Sequence, residues 1–139
     1  MGRTHMKHEG DNKSPCGKWG LVKVLFRPDK ALRPKTNLTT RALRQDDGWC
    51  DANGHKDYNR HVRLPFPARH EALWRTDEAY DLLVTTNHNQ CPRVQGAGSA
   101  IFLHVGRNGV VGTEGCVALR AGDLRKVLAA CSKKALLVI

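Results

Sequence analysis

Prolines and turn-forming residues between positions 27 and 69 set the strongest limit on how this chain of 139 residues can fold. The stretch contains four prolines and two turn-forming sequences: Pro28, Pro34, Pro65, Pro67, DDG at 46–48 and DANG at 51–54. Because proline lacks a backbone donor and clashes with the preceding helical turn, long helices are excluded here. We expect loops with short strands.

Apolar runs outside this stretch predict further strands. They are LVKVLF at 21–26, YDLLVTT at 80–86, SAIFLHV at 99–105 and ALLVI at 135–139. Helical spacing, at three- and four-residue steps, occurs in Leu124, Val127, Leu128 and Cys131, which predicts an amphipathic helix over 121–132. Residues 1–20 read as a polar loop, and 71–75 as one helical turn. The sequence therefore predicts a single, mainly β domain over 1–139 with a helix near its carboxyl end.

The net charge of the chain indicates an anionic partner. The chain has 23 lysines and arginines but only 13 aspartates and glutamates, which gives a formal net charge of +10. The basic residues are scattered, without a dense tract or an interleaved aromatic platform for stacking bases, which argues against nucleic acid. The same positive charge would attract an acidic polymer such as a carboxylate-bearing cell-wall peptide. No apolar run reaches the roughly 18 to 20 residues needed to cross a bilayer, so we expect no membrane span.

Cysteine and histidine spacing gives no metal motif. The five cysteines form no CxxC pair, and their odd number leaves at least one thiol free. Cys50 with His55 and His88 with Cys91 lack a zinc-finger spacing. The Gly-rich sequences GRNG and GAGS lack the lysine and the strand-loop-helix context of a phosphate-binding loop. We expect neither a metal nor a cofactor, and a protein that keeps or uses its thiols.

One pair of residues, His104 and Cys116, could act together in nucleophilic catalysis. Cysteine attacks as the thiolate, and its reference pKa of about 8.5 leaves only a few per cent ionised at neutral pH, so it needs a base or a positive field. Cys116 follows Gly115 at a turn before a helix, where backbone N–H groups can bind a developing oxyanion. A hairpin-like link, VGRNGVVGTEG at 105–115, can return His104 to the thiol.

Each residue of the pair also has an ordinary structural interpretation. A cysteine in GCVAL is usually a small buried hydrophobe, and a histidine after IFL is commonly packed in the core. The pairing of the two through a glycine-rich turn, with Thr113 and Glu114 just before Gly115, favours the catalytic interpretation.

The SAIFLHV and TEGCVAL blocks resemble the signature of the L,D-transpeptidases, the YkuD-type catalytic domain of bacterial cell-wall enzymes. That signature is a histidine on a strand, a variable loop, then Ser or Thr, any residue, Gly and the catalytic Cys. Its positions fall on His104, Thr113, Gly115 and Cys116. HEGDNKSPCGKW at 8–19 resembles the family's EGD and TP segment, and DDGWCD, DYN and NQCPRVQGAGS resemble a branch of the family. We expect DYN at 57–59 to be structural.

The resemblance implies a fold, a reaction and site residues. The fold is an L,D-transpeptidase-like β-sandwich with a helix after the catalytic turn. His104 would deprotonate Cys116, whose thiolate would attack the carbonyl between the L centre of diaminopimelate and the terminal D-alanine of a peptidoglycan stem. Gly115 and Cys116 would hold the oxyanion, and a carbonyl near Val105 would orient the imidazole. Substrate binding is expected at three further residues: Arg120, Thr113 and Ser99.

Two positions depart from the family pattern. Many members have His where this chain has Glu114, and Arg where it has Ala118. Glu114 cannot supply an imidazole, and an arginine that binds a substrate carboxylate must come from elsewhere. Arg120 is the first candidate.

Three functions stay open at this point. The first is an L,D-transpeptidase that forms cross-links in cell-wall biogenesis through a thioacyl enzyme on Cys116, and that a carbapenem would acylate. The second is an L,D-carboxypeptidase that hydrolyses tetrapeptide stems in peptidoglycan recycling. The third is an inactive basic binding module. The sequence gives no indication of oligomeric state.

The resemblance begins almost at Met1, whereas a domain of this family has one or more strands before that point. We therefore expect a truncated amino terminus that lacks the first strand. As written, the chain has no secretory signal and would stay in the cytoplasm. If the amino terminus is truncated, the expected compartment of the full-length protein is the periplasm or cell envelope.

Overall fold

The structure, a computed structural model, describes residues 2–106 and 112–139. One helix, α1, covers Ala121–Ala130. In chain order the strands are β1 Gly2–Thr4, β2 Lys13–Pro15, β3 Lys18–Phe26, β4 Thr39–Ala42, β5 Asp47–Cys50, β6 Arg60–Arg63, β7 His70–Ala72, β8 Leu82–Thr86, β9 Phe102–Val105, β10 Val117–Leu119 and β11 Leu136–Val138. In the part of the chain that the structure describes, no helix is long and apolar enough to cross a membrane.

A six-stranded mixed sheet forms the centre of the molecule, in the order β10-β9-β8-β3-β11 with β4 beside β3. The pairs β3–β8, β8–β9 and β3–β11 are antiparallel, whereas β3–β4 and β9–β10 are parallel. The long strand β3 joins most of the others, because its first half pairs with β11 and its second half with β4. Two smaller sheets, β6-β5-β7 and β1-β2, complete the fold.

Side-chain alternation along the central strands divides the core into two clusters, because successive residues of a strand point to opposite faces. Val24 and Val84 belong to the cluster that contains Leu124 and Leu128 of α1. Leu83 and Phe102 belong to the other cluster, which contains Trp49 from β5 and Leu73, the residue after β7. The helix therefore covers one face of the central sheet and the three-stranded sheet covers the other, which gives the predicted mainly β sandwich with a helix.

The predicted strands and helix lie where the sequence placed them, but Cys116, expected at a turn directly before the helix, is followed first by β10. Two further regions differ. Residues 71–75 were expected to form a helical turn, but His70–Ala72 form β7, which pairs with β5. The amino-terminal segment was expected to be loop, yet Gly2–Thr4 and Lys13–Pro15 form a parallel pair. In both cases pairing with residues remote in sequence overrides the local pattern.

Candidate active site

The parallel pairing of β9 with β10 brings His104 and Cys116 to the same face of the central sheet. Ala118 stands opposite His104 and Val117 opposite Leu103, so Cys116 falls on the side of the sheet that His104 and Phe102 share. A hairpin-like return was expected between the two residues. That expectation is wrong, because strands joined by a hairpin are antiparallel. Part of the connection, residues 107–111, lies outside the described residues.

A cavity of about 350 Å³ opens over this face. Both His104 and Cys116 line it, as do Ser99, Thr113 and Ala118. Its charged lining residues come from distant parts of the chain: Lys7, Glu9, Asp51, Arg69, Glu71, Arg75 and Glu114. The cavity therefore combines a thiol, an imidazole and charges of both signs, and we call it the Cys116 cavity.

The thiol of Cys116 is held by the segment that leads into β9. Its Sγ donates to the carbonyl oxygen of Ala100 at 3.1 Å and accepts from the N–H of Phe102 at 3.4 Å. Burial raises the pKa of Cys116 to about 12, with further increases from the charges of Glu71 and Glu114. The Phe102 N–H and the charge of Lys7 act in the opposite direction. At rest, Cys116 is therefore a neutral thiol.

Ala100, the acceptor of that thiol, has an unusual backbone. Its φ of 52° lies in the left-handed region, which alanine rarely adopts and which costs on the order of 1 to 3 kcal/mol. Asn59 fixes it there, since the Oδ1 of Asn59 accepts both the Ala100 N–H at 3.1 Å and the Trp49 indole N–H at 2.9 Å. A chain of hydrogen bonds thus links the three-stranded sheet, through Asn59 and Ala100, to Cys116.

His104 is held as a neutral imidazole in one tautomer. Its Nδ1 lies 2.8 Å from the carbonyl oxygen of Val105, and because a carbonyl can only accept, Nδ1 carries the proton and Nε2 keeps its lone pair. Burial lowers the pKa of His104. The carbonyl groups of Val105 and Ala79 favour the protonated ring and partly oppose this decrease. Tyr80 packs edge-on against the imidazole with ring centroids 5.3 Å apart.

Gly115 is required by the turn that carries the nucleophile. Its φ is 118°, and a Cβ there would lie 2.7 Å from the carbonyl oxygen of Lys13, which is closer than real Cβ contacts come. The hydroxyl of Thr113 donates to the carbonyl oxygen of Cys116 at 2.5 Å, closing the same turn. Thr113 was expected to bind substrate; it lines the cavity and also fixes the backbone around Cys116.

The remaining expected substrate residues divide between cavity and surface. Ser99 lines the cavity and is 7% exposed, beside the phenol of Tyr58. Arg120 does not line the cavity: it is exposed at the N-cap position of α1. The expectation that Arg120 faces the substrate is therefore not met by its position, and among the described residues Lys7, Arg69 and Arg75 are the lysine and arginine side chains that line the cavity.

Glu71, Tyr80 and Arg75 form a cluster beside His104 that the sequence did not predict. The Tyr80 hydroxyl donates to Glu71 Oε1 at 2.5 Å, and Arg75 Nη1 lies 3.7 Å from the same oxygen. Burial raises the pKa of Glu71, while the Tyr80 hydrogen bond and Arg75 oppose the rise. Burial and the neighbouring charges of Cys116 and Glu71 also raise the pKa of Tyr80.

The cysteine and histidine pairs considered for zinc lie apart in the fold. Cys50 is buried with its Sγ 4.0 Å from His55 Nδ1, whereas His88 packs edge-on against Trp19 and Cys91 is exposed. Within residues 2–106 and 112–139, no group of three or more His, Cys, Asp or Glu side chains is arranged to hold a metal ion.

Comparison with known families gives one match. The family model of the YkuD L,D-transpeptidase catalytic domain matches residues 1–139. No curated protein and no solved structure matches the chain.

Proposed function

Because the chain belongs to the YkuD family of L,D-transpeptidase catalytic domains, we propose that it transfers acyl groups of peptidoglycan stem peptides through a thioester on Cys116. The proposed product is a cross-link between two stems, as cell-wall biogenesis requires. The observation that carries the proposal is the placement of His104 and Cys116 on one sheet face in one cavity.

The resting groups favour general-base activation over a preformed ion pair. Burial keeps the thiol of Cys116 protonated and the imidazole of His104 neutral at pH 7. The lone pair of Nε2 therefore accepts the thiol proton as sulfur attacks the carbonyl carbon, and the proton leaves only when the new bond begins to form. The carbonyl oxygen becomes an oxyanion, for which the N–H groups of Gly115 and Cys116 are the proposed donors.

Collapse of this intermediate breaks the peptide bond to the terminal D-alanine. The departing amine takes the proton from the His104 imidazolium, which leaves a thioester on Cys116 and restores the neutral ring. In the second half, the side-chain amine of a diaminopimelate residue attacks the thioester. His104 accepts its proton and returns it to the sulfur, so that the thiol is regenerated and a new amide joins two stems.

Stem peptides carry several carboxylates, and the cavity offers cations to bind them. Arg75 and Arg69 line it, with side chains 34% and 71% exposed, and a bound peptide carboxylate would replace or share their present partners Asp77 and Asp51. We assign them the carboxylate-binding role for which the sequence suggested Arg120. Their bidentate guanidinium groups suit carboxylates.

A tetrapeptide stem and a carbapenem test the proposal together. We expect a dimeric stem product by mass spectrometry, and a carbapenem adduct on the peptide that contains Cys116. Cys116→Ala should abolish both, whereas Cys91→Ala, which removes an exposed thiol, should leave both unchanged.

Other outcomes identify the alternatives. Release of D-alanine without dimer would make the protein an L,D-carboxypeptidase, in which water takes the place of the acceptor amine. Absence of product and adduct from folded protein would contradict the acyl-transfer proposal. Strong, salt-dependent binding of an anionic polymer would then identify a binding module.

A further inference from the structure

The segment of residues 7–13, between β1 and β2, forms one wall of the Cys116 cavity. Lys7 is a deeply placed charge on it, since its side chain is only 7% exposed although lysine is rarely buried. Burying an ammonium group is costly unless it is paired, and such a position therefore calls for a specific reason.

Two glycines make room for this segment. A Cβ at Gly98 would lie 2.7 Å from Cγ and 2.9 Å from Cε of Lys7, so the lysine stem occupies the space that a side chain would fill. A Cβ at Gly115 would lie 3.3 Å from Nζ of Lys7. The ammonium group is therefore packed directly against the turn that carries Cys116.

Asp11 fixes the ammonium group in this place. Its carboxylate pairs with Lys7 and also accepts the N–H of His8 at 3.0 Å and of Lys13 at 2.9 Å. Although burial acts to raise the pKa of Asp11, these hydrogen bonds lower it to about 2. Asp11 thus stays ionised across the working range of pH and holds the Lys7 ammonium group in place against Gly115.

We propose that Lys7, held by Asp11 beside Gly115, is a positioning residue whose ammonium stabilises the negative charge that develops on Cys116 and its bound carbonyl oxygen. The proposal deepens the acyl-transfer function proposed above and rests on it for its role in turnover. Its effect on the sulfur, however, is measurable without any peptide.

The other charges that face Cys116 show why such a cation is needed. Burial and the carboxylates of Glu71 and Glu114 disfavour the thiolate, whereas Lys7 and the Phe102 N–H favour it. Arg75 is engaged by Asp77 and Glu71, and its nearest aromatic contact is Tyr80. Burial keeps the imidazole of His104, on the neighbouring strand, neutral at rest. Among the described residues, Lys7 is thus the cation placed against the turn that carries Cys116.

The experiment measures alkylation of Cys116 by iodoacetamide, quantified by mass spectrometry of its peptide between pH 7 and 10. Lys7→Met keeps the unbranched stem against Gly98 and removes the charge, and Lys7→Gln is a second neutral variant. Lys7→Arg restores the charge. The matched control is Lys126→Met, which removes the same charge from a side chain 84% exposed on α1.

We expect Cys116 to react about tenfold more slowly in Lys7→Met and Lys7→Gln at every pH, the size expected for one partly compensated charge a few ångströms away. Lys7→Arg should recover most of the native rate, and Lys126→Met all of it. The alkylation of exposed Cys91, measured in the same digest, reports any general change in the reactivity of the reagent. With carbapenem as acylating agent, the neutral variants should lower the maximal acylation rate more than the apparent affinity.

Native alkylation rates in both neutral variants would overturn the proposal. Equally slow rates in Lys7→Arg, together with a lowered melting temperature in all three variants, would assign Lys7 a purely structural role and overturn it as well. Failure of the proposed function looks different. The native chain would then form no adduct or dimer, while the dependence of the Cys116 alkylation rate on Lys7 persisted.

Discussion

Two carboxylates on the same small sheet, Asp47 on β5 and Glu71 on β7, are held in opposite ways. Asp47 has no exposed side-chain surface and is surrounded by donors. Its carboxylate accepts from Arg41 at 2.7 and 3.0 Å, from His61 at 2.7 Å and from the N–H of Arg44 at 2.8 Å. Although burial opposes ionisation, these partners lower the pKa of Asp47 to about 2.

Glu71 faces the Cys116 cavity with weaker partners, and its pKa is shifted upward by burial. Asp51 and Glu114 add like charge to its surroundings. The contrast separates two uses of a buried acid: Asp47 is fully paired and favours the folded state, whereas Glu71 is incompletely compensated beside the proposed catalytic pair. Perturbed groups of the second kind are typical of functional sites. Stability and chemistry should therefore respond to different substitutions.

The largest expected effect is on activity, in His104→Gln. Removing the general base should lower the rate of carbapenem acylation by about 10² to 10⁴-fold. Glutamine has a similar size and is neutral like the resting imidazole, so the melting temperature should change little. Measuring both on one preparation tests the separation. A large loss of melting temperature would break the comparison, because His104 would then serve the fold as well.

Asp47→Asn is the converse test. We expect a loss of about 2 kcal/mol in the free energy of unfolding at pH 7, because a charged acceptor with several donors is removed. The folded pKa of Asp47 lies below its unfolded value, so this contribution is present above about pH 4 and is lost as pH falls toward 2. Urea unfolding of the native protein and the variant between pH 2 and 7 should show that their difference in the free energy of unfolding becomes smaller as the pH falls. Acylation of the folded variant should stay near native.

The pH dependence of acylation tests the proposed role of His104 as a neutral base. Because burial lowers the pKa of His104, the neutral base persists below pH 6.5, and the rate should fall about tenfold per pH unit only under that lowered pKa. The second-order rate constant with carbapenem, measured from pH 4 to 8, reports this limb. A midpoint above pH 6.5 would contradict a buried neutral imidazole.

The smallest expected effect is that of Glu71→Gln on stability. A folded pKa above the unfolded one means that Glu71 lowers stability as pH rises past its unfolded value. The neutral variant should therefore be as stable as the native protein or slightly more stable at pH 7, within about 1 kcal/mol. The difference should vanish below about pH 4. A clear loss of stability at pH 7 would place Glu71 in the same class as Asp47.

Much of the fold was predictable because apolar runs and helical spacing are local signals. The strands around Val24, Val84 and Leu103 and the helix around Leu124 follow directly from them. Glu71 shows the limit of such signals. Its neighbours look helical in isolation, but its backbone pairs with Trp49, a contact that only the assembled sheet provides.

The site was predictable in part for a similar reason. His104 and Cys116 are close in sequence and carry a recognisable motif, so their pairing was expected even though the link was wrongly taken for a hairpin. The cavity's cations come from remote segments, whereas Arg120 was a candidate because this chain has Ala118 where many family members have Arg. Lys7 lies within a block that resembles the family, but its burial against Gly115 depends on three-dimensional packing.

The strained backbone at Ala100 makes the nucleophile sensitive to events on another sheet. The carbonyl that holds the thiol keeps its position because Asn59 bonds both to Ala100 and to Trp49. Local opening of the three-stranded sheet would remove the Trp49 indole from Asn59 and weaken its hold on Ala100, which would then depend on the bonds from Asn59 Nδ2 to the carbonyl oxygens of His88 and Asn89. On gradual heating, acyl transfer should therefore be lost before the central sheet unfolds. We therefore expect the temperature at which acyl transfer stops to follow the opening of the three-stranded sheet rather than that of the central sheet.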